Sequence, residues 1–265
     1  MGKNLTDLSL DIFSLEGNTA IVTGANQGLG LAYAIAFARA GANIFIPHYT
    51  DDVAQVKQTV EGMGRRIAFM QGDLTDGDYR KKVVEKCVAD FGKIDILVNN
   101  AGTNYMAPLL EFPDEKWRQV MELQLNAVYY LSREVAQVMV KNRSGKIINI
   151  ASELSFAADK NAVAYTIAKH GIVGLTRSFA AELGAYNIQC NAIAPGFFES
   201  EGNMVVRQAN PDLAQKVFAR IPGNDGKWGD IFDLMGPALF LASAASNYVN
   251  GCVITVDGGF KAVLL

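Results

Sequence analysis

The segment TAIVTGANQGLG, residues 19–30, joins a β-branched apolar run to three closely spaced glycines, and the Ala-rich segment 31–40 follows it. The apolar run is typical of a buried parallel strand, and the Ala-rich segment has strong helix propensity. A glycine turn between a strand and a helix can bind a pyrophosphate, because the helix N-terminus offers unpaired N–H groups and glycine permits close approach. The spacing is GxxxGxG rather than the more common GxGxxG. A tight turn that needs glycine only for its backbone geometry is the alternative.

Apolar strand patterns alternate with longer helical patterns along the rest of the chain. This alternation predicts right-handed βαβ units and a parallel sheet with helices on both faces. No break in composition divides the sequence, so we expect one α/β domain over residues 1–265. Seven strands are predicted, at 19–23, 43–46, 66–70, 94–98, 146–150, 188–193 and 253–256. Helices are predicted at 31–40, 53–63, 77–91, 114–140 and 231–244, and in the segment that carries Tyr165.

Composition narrows the class of protein. The 265 residues are 50% hydrophobic, which is enough for a substantial core, and the net charge of −3 makes nucleic acid or an anionic membrane an unexpected partner. Cys87, Cys190 and Cys252 are scattered without a CxxC spacing, so they are interpreted as small buried hydrophobes in a reducing compartment, not as metal ligands or disulfides. The N-terminus lacks a signal-peptide pattern and no apolar run is long enough to cross a membrane, which predicts a cytoplasmic protein.

Tyr165 and Lys169, in YTIAK, lie one helical turn apart and project from the same face if the segment is helical. A free phenol titrates near pH ~10, too high for ready proton exchange at neutral pH. A fixed ammonium beside it favours the phenolate, which makes the tyrosine usable as a general acid or base. An ordinary surface pair is the alternative when this spacing is taken alone.

Several further polar or glycine-containing segments come directly after predicted strands. They are the glycine turn, NNAG at 99–102, Ser152, and Pro195-Gly196. The carboxyl ends of parallel strands share one edge of the sheet, where ligands bind in such folds. We therefore expect these segments to converge with the Tyr/Lys pair on one rim.

Together these segments resemble the short-chain dehydrogenase/reductase superfamily. TGANQGLG, NNAG, Asn126 in LQLNAVYY, Ser152, YTIAK, NAIAPG and VDGG occur in its order and spacing over nearly the whole chain. The resemblance implies a Rossmann-type doubly wound sheet, a nicotinamide cofactor and a homotetramer. It also implies a catalytic tetrad. Tyr165 would donate or accept the proton, Lys169 would lower its pKa and hold the nicotinamide ribose, Ser152 would orient the substrate oxygen, and Asn126 would hold a water of a proton relay.

The cofactor contacts implied by the resemblance involve the glycine turn, the ends of several strands and the Tyr/Lys pair. They are Gly24, Asn26, Gln27, Gly28, Leu29, Gly30, His48, Asp73, Leu74, Asn100, Ala101, Gly102, Tyr165, Lys169, Pro195, Gly196, Phe198 and Ser200. His48 stands where an acidic residue would bind the ribose of NAD or a nearby arginine the phosphate of NADP. Gln27 replaces a basic residue common in NADP-using relatives, and Asp51 and Asp52 would repel a phosphate or simply begin the next helix. The sequence favours NAD(H), and NADP stays open.

A narrower likeness concerns the substrate. FSLEG, GKIINIAS, IQCNAIAPG, KWG and DLMGPALFLASAASNYVNG are similar to the 2-dehydro-3-deoxy-D-gluconate 5-dehydrogenase and gluconate 5-dehydrogenase branch. That branch tends to carry two arginines after NNAG, where this chain has Thr103-Asn104-Tyr105. A substrate carboxylate would then need Arg207, Arg220 or Lys227, or the substrate would be a neutral polyol. Charges on a loop that are merely solvated are the alternative.

Two other functions stay open at this point: reduction of another carbonyl, such as a 3-oxoacyl thioester or a steroid-like ketone, and a catalytically silent cofactor-binding regulator. An intact tetrad argues against the regulator. We also expect self-association through apolar C-terminal elements and the long helices. A substrate lid is expected at about 197–228, with a short amphipathic helix at 213–221.

Overall fold

A computed structural model describes residues 9–50, 52–199, 215, 217, 219–223 and 227–263. Seven strands form a parallel sheet in the order β3-β2-β1-β4-β5-β6-β9, and β7 pairs with β8 in a separate short ladder. The strands are β1 (Thr19–Val22), β2 (Asn43–His48), β3 (Ile67–Gln71), β4 (Ile96–Asn99), β5 (Gly145–Ile150), β6 (Ile188–Pro195), β7 (Phe198–Glu199), β8 (Gly229–Asp230) and β9 (Val253–Val256). The α-helices of the described residues are α1 (Gly28–Arg39), α2 (Ala54–Gly62), α3 (Gly77–Phe91), α4 (Asp114–Met121), α5 (Ala127–Asn142), α6 (Val163–Leu183) and α7 (Met235–Ala242).

Each face of the sheet has its own apolar layer, because successive strand residues point to opposite sides. Val22 and Val98 pack with residues of α1, α2 and α7. Their neighbours Ile21 and Leu97 pack with residues of α3, α5 and α6. The predicted doubly wound α/β fold, a single domain with seven parallel strands, is confirmed.

Local sequence accounts for well-bounded elements such as α3. Its N-cap Asp76 accepts hydrogen bonds from the backbone N–H of Asp78 and Tyr79, which satisfies donors that the first turn leaves unpaired. The helix ends at Gly92, whose φ of +84° is readily adopted only by glycine. These signals lie in the sequence itself, and the predicted bounds 77–91 match the structure.

Two helices predicted as continuous α-helices differ in the structure. The helix predicted at 114–140 contains a π-helical stretch, Glu122–Asn126, between α4 and α5, in which Ala127 N donates to Glu122 O. The helix predicted at 231–244 begins with a 3-10 stretch, Ile231–Leu234, before α7, and ends at Ala242. Pro237 lies in the first turn of α7, where its missing N–H costs least, but it cannot continue a helix from further upstream. The pairing of β7 with β8 was also absent from the sequence prediction.

Most of the predicted lid, including Ser200 and Arg207, lies outside the described residues. Of the helix predicted at 213–221, positions 215 and 217 are described as helical. Across the described part of the chain, none of the helices has the length and apolar character needed to span a bilayer. The described residues also contain no cluster of three or more His, Cys, Asp or Glu side chains suited to a metal ion.

Candidate active site

The glycine turn between β1 and α1 presents an open helix N-terminus. Gly24 and Gly28 have φ values of +62° and +59°, which L side chains rarely adopt. Gln27, the N-cap of α1, makes no side-chain capping hydrogen bond, and the first turn of α1 contains no acidic residue. The first N–H groups of α1 therefore face the rim without a side-chain acceptor and can receive an anion such as a pyrophosphate.

The segment after β4 packs directly on this turn. A Cβ on Gly24 would lie 3.2 Å from Ala101, and one on Gly30 would lie 2.8 Å from the Gly24 carbonyl oxygen. The Asn100 side chain donates to the carbonyl oxygen of Thr23 at 2.9 Å, and the Asn100 backbone N–H donates to Thr23 Oγ1, also at 2.9 Å. The close approach explains why glycine is required at these positions, and the turn fits the phosphate-binding role predicted for it.

A cleft of about 710 Å³ runs from this turn across the ends of β2 and β3 to α4. Nine residues predicted as cofactor contacts line it: Gly24, Asn26, Gln27, His48, Asp73, Leu74, Asn100, Ala101 and Gly102. Other lining residues were not predicted, and these include Tyr49, Thr50, Thr103 and, on α4 and the π-helical stretch, Glu115, Arg118, Gln119 and Glu122. No local sequence pattern predicts that the α4 residues line the cleft, because only the packing of α4 at the sheet edge brings them there.

The end of β2 carries a small polar cluster instead of a charged one. His48 is buried, and its Nδ1 lies 2.6 Å from the carbonyl oxygen of Thr50. Asn26 Nδ2 donates to Thr50 Oγ1 at 2.7 Å. Asp52 accepts a hydrogen bond from the N–H of Ala54 at the start of α2, which supports its interpretation as a helix-start residue.

Ser152, Tyr165 and Lys169 meet beyond the end of β5, on the same edge of the sheet as the cleft, although none of them lines it. The Ser152 hydroxyl lies near enough to the Tyr165 phenol to lower the pKa of that phenol. Lys169 Nζ lies 5.3 Å from the centre of the Tyr165 ring and donates to the carbonyl oxygen of Ile150 at 2.7 Å. The structure thus brings together three of the four predicted catalytic side chains, on one turn of α6 and the loop after β5.

Burial is the largest influence on the pKa values of Tyr165 and Lys169. Burial raises the pKa of Tyr165, and the hydrogen bond from Ser152 lowers it only in part. Burial also lowers the pKa of Lys169 to about 7. Burial thus dominates the pKa of the phenol in the structure, and the role of Lys169 in lowering that pKa stays a prediction.

Asn126 lies in the π-helical stretch, where its Nδ2 donates to Glu122 Oε1 at 2.7 Å. Glu122 lines the cleft, so this bond joins the Asn126 amide to a cleft-lining side chain. The same stretch docks on NNAG, because Gln124 Nε2 donates to the carbonyl oxygen of Thr103 at 2.6 Å and its side-chain atoms lie within 3.0 Å of the position that a Cβ on Gly102 would occupy. π-helical turns are frequent at functional sites, since they turn one residue out of the helix register.

A buried hydrogen-bond network behind the site was not predicted. Asn99 Nδ2 donates to Asn149 Oδ1 and to Ser132 Oγ, each at 2.8 Å. Asn149 Nδ2 donates to Thr176 Oγ1 at 2.9 Å. The network links β4 and β5 to α5 and α6, so it fixes the helix that carries Tyr165 relative to the strand that precedes Ser152. A polar residue in an apolar strand segment, as in GKIINIAS, is the one sequence signal for it.

Other predicted contacts lie apart from the main cleft. Phe198 is only 6% exposed and packs in the core, and it also lines a small cavity of about 140 Å³. Lys227 lines the same small cavity. The guanidinium of Arg220 lies 4.4 Å from the centre of the Phe260 ring. Pro195 ends β6, and Gly196 donates its N–H to the carbonyl oxygen of Val256 at 2.8 Å.

An open parallel sheet with a glycine turn at its switch point, and a Ser-Tyr-Lys group beside it, defines a dinucleotide-dependent oxidoreductase. The sequence profile of the family described as short chain dehydrogenase matches residues 18–211, and the chain belongs to this NAD(P)-dependent family of oxidoreductases.

Similar proteins match this chain over nearly its whole length. The uncharacterized oxidoreductase YgcW of Escherichia coli K12 is 45% identical over 97% of this chain and 98% of its own. The 2-dehydro-3-deoxy-D-gluconate 5-dehydrogenase of Dickeya dadantii is 42% identical over 96% and 99%, respectively. The crystal structure of a gluconate 5-dehydrogenase from Burkholderia cenocepacia in complex with NADP and tartrate superposes with a TM-score of 0.90, at 35% identity over 96% of this chain and 99% of the other.

Proposed function

We propose that this protein interconverts a secondary alcohol and a ketone on a sugar acid, with a nicotinamide dinucleotide as the second substrate. The observation that carries the proposal is the meeting of Ser152 and Tyr165, with Lys169 one turn further along α6, on the same edge of the sheet as the cleft lined by the glycine turn. Relatives named for 2-dehydro-3-deoxy-D-gluconate and gluconate support the substrate class.

The residues of the chain divide the chemistry between them. The bound cofactor supplies the acceptor or donor of the hydride. In the oxidation direction the substrate loses a hydride from its carbinol carbon, and Tyr165 Oη takes the hydroxyl proton. Ser152 Oγ donates to the substrate oxygen and stabilises the charge that develops there. Lys169 would hold the ribose of the bound cofactor, and its ammonium would stabilise the phenolate. In the reduction direction Tyr165 returns the proton to the oxygen.

Asn126 is the fourth member of this proposed group. Its amide would anchor a water between Lys169 and solvent, and this water would complete a proton relay. The N–H groups at the start of α1 would bind the pyrophosphate, and the polar cluster of Asn26, His48 and Thr50 would face the adenosine ribose.

We further propose that NAD(H) is preferred over NADP(H). Support comes from the end of β2, where none of the described side chains is an arginine or lysine. Arg118 on α4 is the one arginine or lysine among the described residues that line the cleft, and it is paired with Asp114 at 3.7 Å. If NADP is used instead, Arg118→Gln raises the KM for NADP and leaves that for NAD unchanged.

Arg220 is the proposed partner of the substrate carboxylate. It stacks on Phe260, and its buried Nε has no hydrogen-bond partner among the described residues. A buried donor without an acceptor is costly, and a carboxylate would satisfy it. Arg220→Gln should raise the KM for a sugar acid about tenfold and leave that for a neutral polyol unchanged. The exposed Arg177→Gln on α6 is the matched control.

A substrate panel tests the function directly. Purified protein is assayed with gluconate, 2-dehydro-3-deoxygluconate, neutral polyols and a 3-oxoacyl thioester, each with NAD and NADP, by the absorbance of the reduced nicotinamide. Turnover of a sugar acid that is lost in Tyr165→Phe supports the proposal. Turnover of the thioester with none of the sugar acids refutes the substrate class, and no turnover of any substrate together with tight cofactor binding indicates a regulator.

Self-association and a cytoplasmic location belong to the same proposal. Tyr129 and Tyr130 on α5 are 40% and 37% exposed, and Arg133 stacks on both. Exposed aromatic and arginine side chains of this kind are enriched at protein interfaces. Light scattering should give about four times the 28.6 kDa of one chain. A monomer mass would contradict the proposed tetramer. Cell fractionation of a tagged chain tests the location.

A further inference from the structure

A carboxyl group lies directly beside the active-site serine in the sequence. Glu153 follows Ser152 in a short 3-10 turn, is only 9% exposed, and its side chain is hydrogen-bonded to that of Asp257. Its Oε1 is buried without a hydrogen-bond partner among the described residues. Two ionised carboxylates repel at contact distance, so a hydrogen bond between them requires one proton.

Asp257 in turn organises the segment after β9. Its two carboxylate oxygens accept hydrogen bonds from the backbone N–H of Gly259 at 2.9 Å and of Lys261 at 2.8 Å. These bonds define a C-terminal turn, residues 257–262. Both carboxylate oxygens of Asp257 are therefore engaged with the C-terminal turn.

The C-terminal turn touches both sides of the substrate region. On one side Gly223 N donates to the carbonyl oxygen of Gly258 at 2.9 Å, and Arg220 stacks on Phe260. On the other side Lys261 Nζ lies 3.1 Å from the centre of the Phe156 ring, just after the Ser152 turn. The Glu153–Asp257 contact thus joins the loop of the catalytic serine to the C-terminal turn, which in turn contacts the segment that carries Arg220.

The orientation of Ser152 depends on its turn. Ser152 Oγ accepts from Leu154 N at 3.2 Å, and Ser152 N donates to Ser155 Oγ at 3.1 Å, so the peptide of Glu153 is enclosed by this pair of bonds. A movement of Glu153 away from Asp257 would turn the Ser152 hydroxyl with it.

We propose that Glu153 and Asp257 share one proton, and that this pair is a positioning device that holds the C-terminal turn against the Ser152 loop in the substrate-binding geometry. The part of the inference that concerns substrate rests on the proposed function. The part that concerns the turn rests on the contacts alone.

The charged groups around Glu153 decide the pH range. Burial and then the Asp257 carboxylate raise the pKa of Glu153 to about 7, while Lys261 lowers it. From α6, Tyr165 and Lys169 face the Ser152 side of the same turn, and β6 contributes no acidic or basic side chain. We therefore expect the shared proton to be lost near neutral pH, so that the two carboxylates then repel.

Steady-state kinetics and hydrogen exchange test the pair together. In the parent protein the KM for the substrate should rise about tenfold from about pH 6 to about pH 8.5, with kcat/KM falling and the cofactor Kd unchanged. Glu153→Gln donates an amide N–H to Asp257 without a proton to lose, so its KM should stay low and flat. Glu153→Ala should have the raised KM at every pH. Glu182→Gln, an exposed acid at the far end of α6, should keep the parent profile.

The exchange measurement needs no substrate. Protection factors of the Gly259 and Lys261 amides should fall over the same pH range in the parent and stay constant in Glu153→Gln. If Glu153→Gln does not fold, Asp257→Asn is used instead, because it replaces the other carboxylate of the pair by an uncharged amide. If the protection factors of the parent protein depend on pH but its KM does not, the link to substrate is overturned and the shared proton of Glu153 and Asp257 is supported. Equal pH dependence of protection in the parent and in Glu153→Gln overturns the shared proton itself.

Discussion

The ammonium of Lys169 donates a hydrogen bond to the carbonyl oxygen of Ile150 at 2.7 Å, which ties α6 to the last residue of β5. Ser152 follows that residue by two positions. The lysine therefore holds the helix that carries Tyr165 against the strand that leads into the serine loop, in addition to any contact with cofactor or phenol.

Replacement of this lysine should change how stability depends on pH. The pKa of Lys169 is about 7 in the folded protein and about 10.4 in an unfolded chain, so the unfolded chain binds more protons between these values. The lysine's contribution to stability is full above the unfolded value and is lost as pH falls towards about 7. Lys169→Met should have a smaller increase in unfolding free energy across this range, measured by urea unfolding. Lys146 adds a similar slope to both proteins, so equal slopes would contradict the prediction.

Removal of the Tyr165 hydroxyl should abolish turnover and leave cofactor binding nearly intact. General acid–base catalysis contributes about a hundredfold or more, and a phenyl ring cannot exchange the substrate proton. Single-turnover kinetics and the quenching of protein fluorescence by cofactor measure the two effects separately. Tyr248→Phe, at a fully exposed tyrosine, is the control. Turnover of Tyr165→Phe near the parent level would exclude Tyr165 as the proton acceptor.

The ionisation of the same phenol should be displaced upwards in the absence of cofactor, because burial raises the pKa of Tyr165. The near-ultraviolet absorbance of phenolate, compared between the parent and Tyr165→Phe, isolates this one group. We expect the difference to develop only above about pH 10, the ordinary value for a phenol. A difference that develops at neutral pH would mean that Lys169 outweighs burial, as the sequence alone predicted.

Asn126 should matter through its own amide and not through its bond to Glu122. Asn126→Ala should reduce kcat by about tenfold or more, because the proposed proton relay loses its anchor, with a smaller change in the cofactor Kd. Glu122→Gln retains an acceptor for Asn126 Nδ2 and should stay within about twofold of the parent. If both variants lose activity to the same degree, the hydrogen bond between them and not the amide is what the reaction needs.

Two tyrosines provide a matched test of buried hydroxyl groups. The Tyr33 hydroxyl is buried without a partner among the described residues, whereas Tyr79 donates to the carbonyl oxygen of Met70 at 2.5 Å. Tyr33→Phe should leave the free energy of unfolding unchanged or raise it by about 1 kcal/mol, and Tyr79→Phe should lower it by about 1–2 kcal/mol. Chemical denaturation of the three proteins gives both values, and a loss in Tyr33→Phe as large as that in Tyr79→Phe would reveal a partner for Tyr33.

The sequence by itself determined the parallel sheet, the order of its elements and the residues of the glycine turn. Those features depend on short-range signals: apolar runs the length of a strand, helix caps such as Asp76, and glycines such as Gly24 and Gly28 at positive φ. The four-residue spacing of Tyr165 and Lys169 likewise fixed which side chains share a helical face. Each of these signals can be read within a few residues, so no tertiary contact is needed to see them.

Only the tertiary structure decided the directions of the pKa shifts and the long-range contacts of the site. The sign of the Tyr165 pKa shift follows from how much chain covers the phenol, and the sequence cannot specify that cover. The π-helical stretch at Asn126 and the contact of Glu153 with Asp257 likewise depend on how distant segments pack. Glu153 and Asp257 are far apart in the chain and meet only because β5 and β9 end on the same rim of the sheet, where burial and a neighbouring carboxylate set whether a proton is kept.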